Sequence, residues 1–139
     1  CTMLKKIEHI GIAVNDLKAS NALFESLLGV AHYKTEAVAS ERVTTSFFDV
    51  GTHKIELLEA SDPDSPIAKF IAKKGEGVHH IAFEVADIKA ELARLKAEGF
   101  RLIHEKAIPG ADNKEIAFLH PKSTNGVLIE LCQERPNKD

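Results

Sequence analysis

Hydrophobic and polar residues alternate in two short segments of the chain, residues 7–14 and 78–85. Because successive side chains of a β-strand point to opposite faces, this alternation predicts two half-buried strands. A segment in which apolar residues recur at helical spacing follows each strand, and it predicts a helix. The apolar positions are Leu17, Phe24, Leu27 and Leu28 in the first predicted helix, and Ile88, Leu92 and Leu95 in the second.

Residues suited to helix ends flank both apolar stripes. Asn15 or Asp16 precedes the first predicted helix and Asp87 precedes the second. Side chains of this type accept a hydrogen bond from the first free N–H groups of a helix. Gly29 and Gly99 follow the two stripes, where a left-handed residue commonly ends a helix.

Three further strands are predicted in each half, so that both halves have the order βαβββ. They cover residues 32–37, 42–50 and 54–59 in the first half, and residues 101–106, 114–120 and 127–133 in the second. Ser65 and Pro66 between the halves are typical of the first positions of a helix. They predict a short connecting helix.

An internal repeat relates the two halves. Residues 7–19 align with residues 78–90 without a gap, and residues 54–58 resemble residues 128–132. A repeated pattern of this kind indicates two copies of one structural unit. The expected fold is therefore α+β, with two βαβββ modules in tandem.

The length of 139 residues suits one domain with a substantial core. We expect a single domain over residues 1–139, with module one at about 5–62, a linker helix at about 65–74 and module two at about 76–134.

The charge pattern excludes several classes of partner. The net charge is −3 and no basic stripe is present, which argues against nucleic-acid binding. No apolar run approaches the roughly 20 residues of a membrane span, and the N-terminal residues lack an apolar signal core. Cys1 and Cys132 form no disulfide framework. We expect a cytoplasmic protein that does not contact membranes.

The repeat places one histidine and one glutamate at matching positions of each half. His9 aligns with His80 and Glu56 aligns with Glu130. Each glutamate stands in an apolar run, where a buried carboxylate is costly without a partner. A lone histidine or glutamate on a strand is more often a satisfied or solvent-facing residue, and duplication alone would also repeat it. The coincidence of both types in both halves favours a four-ligand metal site.

Mixed imidazole and carboxylate ligands suit a divalent ion such as Co, Ni, Mn, Fe or Zn. Four protein ligands leave two octahedral positions open, which a carbonyl and a carboxylate of one substrate can chelate. Among the other histidines, His79 alternates to the face opposite His80. His32, His53 and His104 fall in turns or variable strands and are predicted to lie at the surface.

The same residues resemble the vicinal oxygen chelate superfamily, and within it the methylmalonyl-CoA epimerase family most closely. The resemblance extends from residue 7 to residue 133. Its most specific segments are residues 7–14, 64–70, 77–85, 118–122 and 126–131. It implies one domain with a cupped mixed sheet around a metal site. The implied activity is the interconversion of (2R)- and (2S)-methylmalonyl-CoA, an acyl-CoA, by a homodimer that uses Co²⁺ or else Mn²⁺, Ni²⁺ or Zn²⁺.

The resemblance also assigns roles to residues. His9 and His80 match histidine ligands, and Glu130 matches a ligand that is also a proposed proton-transfer group. Glu56 stands where the family often has glutamine, and it is the second catalytic candidate. Thr45 occupies the position of a glutamate that some members carry as the opposing base. A threonine is a poor general base, so that assignment stays open.

The loop at residues 120–126 has two interpretations. Lys122, Ser123 and Thr124 can bind the CoA phosphates or the substrate carboxylate, or the loop can be a plain turn before the last strand.

Three other functions share this superfamily pattern. They are a lactoylglutathione lyase, a non-catalytic protein that binds drugs or metabolites, and a ring-cleaving dioxygenase. The dioxygenase typically uses two histidines and one carboxylate, so a fourth ligand argues against it.

Overall fold

The computed structural model describes residues 4–136, which form eight strands and three α-helices. Two compact units account for the chain. Of the described residues, 9–79 form the N-terminal unit, and 80–136 together with 4–8 form the C-terminal unit. Cys1 lies outside the described residues.

The N-terminal unit contains a four-stranded mixed sheet. Strand order is β2-β3-β4-β1, in which β1 runs parallel to β4 while β3 is antiparallel to both of its neighbours. Its elements are β1 (Leu4–Ala13, whose first residues belong to the other unit), α1 (Leu17–Leu28), β2 (Lys34–Val38), β3 (Val43–Val50), β4 (His53–Ala60) and α2 (Pro66–Lys74).

The C-terminal unit repeats this arrangement. Strand order is β5-β8-β7-β6, with β5 parallel to β8 and β7 antiparallel to both of its neighbours. Its elements are β5 (Gly77–Val85, whose first three residues belong to the other unit), α3 (Ile88–Ala97), β6 (Ile108–Pro109), β7 (Lys114–Leu119) and β8 (Ile129–Glu134). The α+β class and the tandem βαβββ modules are therefore confirmed.

A helix covers one face of each sheet. In the N-terminal unit, α1 packs Leu17, Phe24 and Leu28 against Phe48 and Leu57. Each such buried side chain contributes about 2 kcal/mol through the removal of apolar surface from water. In the C-terminal unit, α3 buries the apolar positions predicted for it, Ile88, Leu92 and Leu95, against β5, β7 and β8.

One position of the predicted α1 stripe is wrong. Leu27 is 69% exposed, whereas its neighbour Leu28 packs in the core. Successive residues of an α-helix are rotated by about 100°, so both cannot face the sheet.

The predicted caps are confirmed, and Asp16 rather than Asn15 caps α1. The Ala19 N–H donates to Asp16 Oδ1 at 3.1 Å, and the equivalent bond joins Ala90 to Asp87, also at 3.1 Å. Gly29 closes α1 with φ +74°, a conformation that favours glycine.

The connecting helix α2 also begins as predicted, since Ser65 Oγ accepts from the Ile67 N–H at 3.2 Å. Ile67 then packs against Ala13, Val43 and Leu58, which line the sheet face opposite α1. None of the described helices has the length and apolarity to cross a membrane.

The strand predicted at residues 101–106 is wrong. Only Leu102 forms a single bridge there, and the short strand β6 lies further along. The Phe118 carbonyl of β7 accepts from both Ile103 and His104, while the Phe118 N–H donates to the His104 ring nitrogen Nδ1 at 3.1 Å. A side chain therefore takes the place of a strand partner, and no ladder continues.

Candidate metal centre

The N-terminal unit brings His9 and Glu56 together. In the parallel pairing of β1 with β4, Gly11 lies opposite Glu56. His9, two residues before Gly11, therefore shares the face of Glu56. The His9 Nδ1 atom lies 3.1 Å from Glu56 Oε2, and each residue is only 5% exposed.

The C-terminal unit brings His80 and Glu130 together at the same register. Ala82 of β5 lies opposite Glu130 of β8, so His80 again stands two residues before the partner of the glutamate. The His80 Nε2 atom lies 3.1 Å from Glu130 Oε1, and both residues are 5% exposed. The two predicted pairs thus form in an equivalent way. Their union in one site stays a prediction.

The spacing of each pair suits a metal. Two ligands at right angles on an ion, each about 2.1 Å from it, lie about 3 Å apart. A buried carboxylate also needs a compensating positive charge, which a divalent ion supplies. The two histidines and two glutamates all belong to buried groups of residues that can hold a metal ion. The donor set therefore fits a divalent cation.

The surroundings of the glutamate in each pair are also repeated. On one neighbouring strand a small residue lies opposite the carboxylate, Gly11 in the N-terminal unit and Ala82 in the C-terminal unit. On the other neighbouring strand a phenylalanine lies opposite it, Phe47 and Phe118 respectively. Each glutamate thus lies between a small residue and a phenylalanine on the two neighbouring strands.

Thr45 lies on the face of β3 that bears Phe47, next to the His9–Glu56 pair. The side chain is 1% exposed, and its Oγ1 atom has no hydrogen-bond partner among the described residues. A buried hydroxyl without a partner costs about 1–3 kcal/mol. A hydroxyl in this position can hydrogen-bond a bound molecule, but it is not a general base at neutral pH.

His104 has a role that its sequence position did not reveal. Its ring nitrogen accepts from Phe118, and the two ring centroids lie 5.9 Å apart. On another side, the Phe118 ring meets the His80 ring edge-on at 5.6 Å. His104 thus helps to hold the aromatic wall of the His80–Glu130 pair. The contact is tertiary, so no local sequence signal predicted it.

His32 and His79 are engaged elsewhere. His32 Nδ1 lies 2.7 Å from Glu25 Oε1 at a partly exposed position. The His79 ring meets Phe70 of α2 edge-on at 4.9 Å.

Cys132 is a buried free thiol two residues beyond Glu130 on β8. Burial is the largest cause that raises its pKa, and the nearby carboxylates of Glu130, Glu8 and Glu84 raise it further. Lys114 opposes the shift only in part. Because the thiolate is the nucleophilic and metal-binding form, Cys132 is neutral and inert.

The predicted substrate loop is held by its own hydroxyls. Ser123 Oγ accepts from the Arg101 N–H at 2.9 Å, and Thr124 Oγ1 donates to the Val127 carbonyl. Lys122 remains exposed. The two hydroxyls therefore maintain the loop conformation, and the lysine is available for a ligand.

The chain is similar to known proteins of one superfamily. Residues 8–118 match the model of the glyoxalase/bleomycin resistance protein/dioxygenase superfamily. The chain is 41% identical over 134 residues to an ethylmalonyl-CoA/methylmalonyl-CoA epimerase of Cereibacter sphaeroides, with 94% of this chain and 99% of the relative covered. It is 40% identical over 132 residues to the uncharacterised protein YqjC of Bacillus subtilis, with 95% and 94% covered.

A solved structure of methylmalonyl-CoA epimerase in complex with methylmalonyl-CoA and NH4⁺ is also similar. It superposes with a TM-score of 0.90 at 36% identity, over 94% of this chain and 95% of that one. The chain thus belongs to the glyoxalase/bleomycin resistance protein/dioxygenase superfamily, in the branch that contains the methylmalonyl-CoA epimerases.

Proposed function

We propose that the protein is an isomerase that interconverts (2R)- and (2S)-methylmalonyl-CoA through an enolate. The observation that carries this proposal is the buried His–Glu pair, which occurs at one register in both units. The family membership supports it, since named relatives act on malonyl-type CoA thioesters.

A single divalent ion is proposed to be bound by His9, Glu56, His80 and Glu130. When bound, it supplies Lewis acidity to a thioester oxygen and a carboxylate oxygen. We propose Co²⁺ first, and Mn²⁺, Ni²⁺ or Zn²⁺ as alternatives that the same donors accept. Glu56 in place of the common glutamine adds one negative charge, which strengthens ion binding and weakens its Lewis acidity.

Epimerisation removes the proton at C2 and returns one to the opposite face. It therefore needs two proton-transfer groups. We assign them to Glu130 and Glu56, one from each repeat. Both are buried beside a histidine. In a buried site, bulk water does not compete with the carboxylate for the proton. The Thr45 hydroxyl is proposed to donate a hydrogen bond to the acyl group.

Proton NMR in deuterium oxide tests the proposal. The protein is loaded with Co²⁺ and mixed with methylmalonyl-CoA, and loss of the C2 proton signal is followed. Exchange that depends on the metal supports the epimerase. A metal-loaded, folded preparation that leaves the C2 proton in place would contradict the proposal. The hemithioacetal of glutathione serves as the parallel substrate, because turnover of it alone would identify a lactoylglutathione lyase.

The finer biological setting is also proposed. We infer a homodimer, by analogy with the family, and we propose a cytoplasmic location. Light scattering of the purified protein measures the mass, and a monomer at micromolar concentration would contradict the dimer.

A further inference from the structure

Hydrogen bonds of the backbone hold three basic residues close together where the chain leaves β7. The His120 N–H donates to the Arg101 carbonyl at 2.8 Å, and the Lys122 N–H donates to His120 Nδ1 at 3.1 Å. The Arg101 N–H donates in turn to Ser123 Oγ. These bonds lock the two backbone segments together. Arg101, His120 and Lys122 together form the basic loop cluster.

The bond to Nδ1 fixes the state of the His120 ring. Since Nδ1 accepts a hydrogen bond, Nε2 carries the proton of the neutral imidazole and is a donor. Burial, followed by the charges of Arg101 and Lys122, lowers the pKa of His120. His120 is therefore a neutral N–H donor between two cations at neutral pH.

The cations of this cluster lack acidic partners. Within residues 4–136, no carboxylate lies within ion-pair distance of Arg101 or Lys122. The two other arginines for which ion pairs occur, Arg42 and Arg94, each lie beside carboxylates. Neighbouring positive charges without a counterion repel each other, and an anion would relieve the repulsion.

The cluster lies at the ligand-bearing end of the C-terminal sheet. Phe118 of β7 is opposite Glu130, and His120 follows two residues later, a rise of about 7 Å along the chain. A group bound at this distance is not the acyl group at Glu130.

We propose that Arg101, His120 and Lys122 bind the phosphate groups of the CoA moiety. This rests on the proposed function, which places the acyl group at the metal ligands. An arginine fork, an imidazole N–H and an ammonium are donors that phosphate oxygens accept. Ser123 and Thr124 act as positioning residues for the loop, and they do not contact the ligand.

Calorimetric titration with three compounds tests the inference without turnover. They are CoA, dephospho-CoA and pantetheine, which lacks phosphate. Arg101→Ala is expected to weaken CoA binding about tenfold, the usual effect of losing one charged hydrogen bond. Pantetheine binding is expected to stay unchanged. Lys89→Ala, which removes an exposed lysine of α3, is the matched control and should leave all three affinities as they are.

Dephospho-CoA shows whether the diphosphate or the 3′-phosphate is the group that Arg101 binds. If dephospho-CoA loses as much affinity as CoA in Arg101→Ala, the diphosphate is the partner; if it loses none, the 3′-phosphate is. Equal CoA affinity in Arg101→Ala and wild type, or an equal loss for pantetheine, would overturn the inference. The Arg101 side chain makes none of the backbone bonds of the loop, and Arg101→Lys provides a second, milder variant.

Steady-state kinetics separates this inference from the epimerase proposal. With methylmalonyl-CoA, Arg101→Ala should raise KM about tenfold and leave kcat within twofold. With methylmalonyl-pantetheine it should change neither value. If the wild type shows no exchange at C2 and still loses CoA affinity in the variant, the phosphate site stands and the epimerase proposal fails.

Discussion

The two units hold their His–Glu pairs in the same way but surround them differently. Two residues beyond the glutamate of each pair, β4 carries Leu58 and β8 carries Cys132. Opposite these positions, β3 carries Thr45, whose hydroxyl has no hydrogen-bond partner among the described residues, and β7 carries the apolar Ile116. The two halves therefore share the His–Glu pairs, whereas the residues beside the pairs differ in chemistry.

The divergence continues along the same faces. In the N-terminal unit, Val43 packs under Ile67 of α2. The position of Val43 is occupied in the C-terminal unit by Lys114, which is 6% exposed and lies 3.6 Å from the Glu134 carboxylate. No helix follows β8 within the residues that the structure describes. A helix thus completes one face with apolar contacts, and charged groups complete the other.

Removal of the metal should have the largest effect, and it tests whether the two pairs serve one ion. A chelator is expected to lower the rate of C2 exchange more than about a hundredfold, since Lewis-acid stabilisation is worth several kcal/mol. Added Co²⁺ should restore it. His9→Ala and His80→Ala should each lose the metal, as measured by elemental analysis. Two ions per chain, or loss of only one in each variant, would show two separate sites.

Substitution of the glutamates tests whether each repeat contributes one proton-transfer group. Glu130→Gln and Glu56→Gln should each reduce epimerisation about 10²–10⁴-fold, the usual contribution of a proton-transfer group. Each variant should still exchange the C2 proton of one epimer, and the two variants should differ in which one. NMR with each epimer in deuterium oxide measures this. Retained epimerisation in Glu56→Gln would remove Glu56 from the catalytic pair.

Features that depend on neighbouring residues can be predicted from the sequence, whereas features that depend on tertiary contacts cannot. The strand alternation at His9 and His80 and the caps at Asp16 and Asp87 depend on neighbouring residues, so the sequence revealed them. The edge of the C-terminal sheet depends on the His104 ring, which bonds a strand far along the chain.

Arg101 was missed for the same reason. Only the fold brings it beside His120, whereas Lys122 lies in a recognisable loop. Leu27 shows a different limit, since apolar character alone does not separate a buried stripe from an exposed helix face.

Substitutions at Thr45 and Ile116, equivalent positions that differ between the two units, are expected to have a smaller effect, which is on the free energy of unfolding. Thr45→Val keeps the shape of the side chain and removes a buried hydroxyl for which residues 4–136 offer no hydrogen-bond partner. The free energy of unfolding should therefore rise by about 1 kcal/mol. Ile116→Thr introduces such a hydroxyl at the equivalent place and should lower it by about 2 kcal/mol. Urea unfolding measures both. If Thr45→Val destabilises the protein, the hydroxyl has a structural partner, and its proposed hydrogen bond to the acyl group is wrong.

Substitution of His79 is expected to have the smallest effect. It is also a control for the assignment of His79 and His80 to opposite faces of β5. His79 is adjacent to His80, yet its ring packs on Phe70 of α2. His79→Ala should lower the free energy of unfolding by about 1 kcal/mol through the lost aromatic contact, and metal content and exchange rate should stay within twofold. His80→Ala should lose both. Equal loss of exchange in the two variants would mean that strand alternation does not separate ligand from structural histidine here, and that the His80–Glu130 pair depends on the contact between β5 and α2.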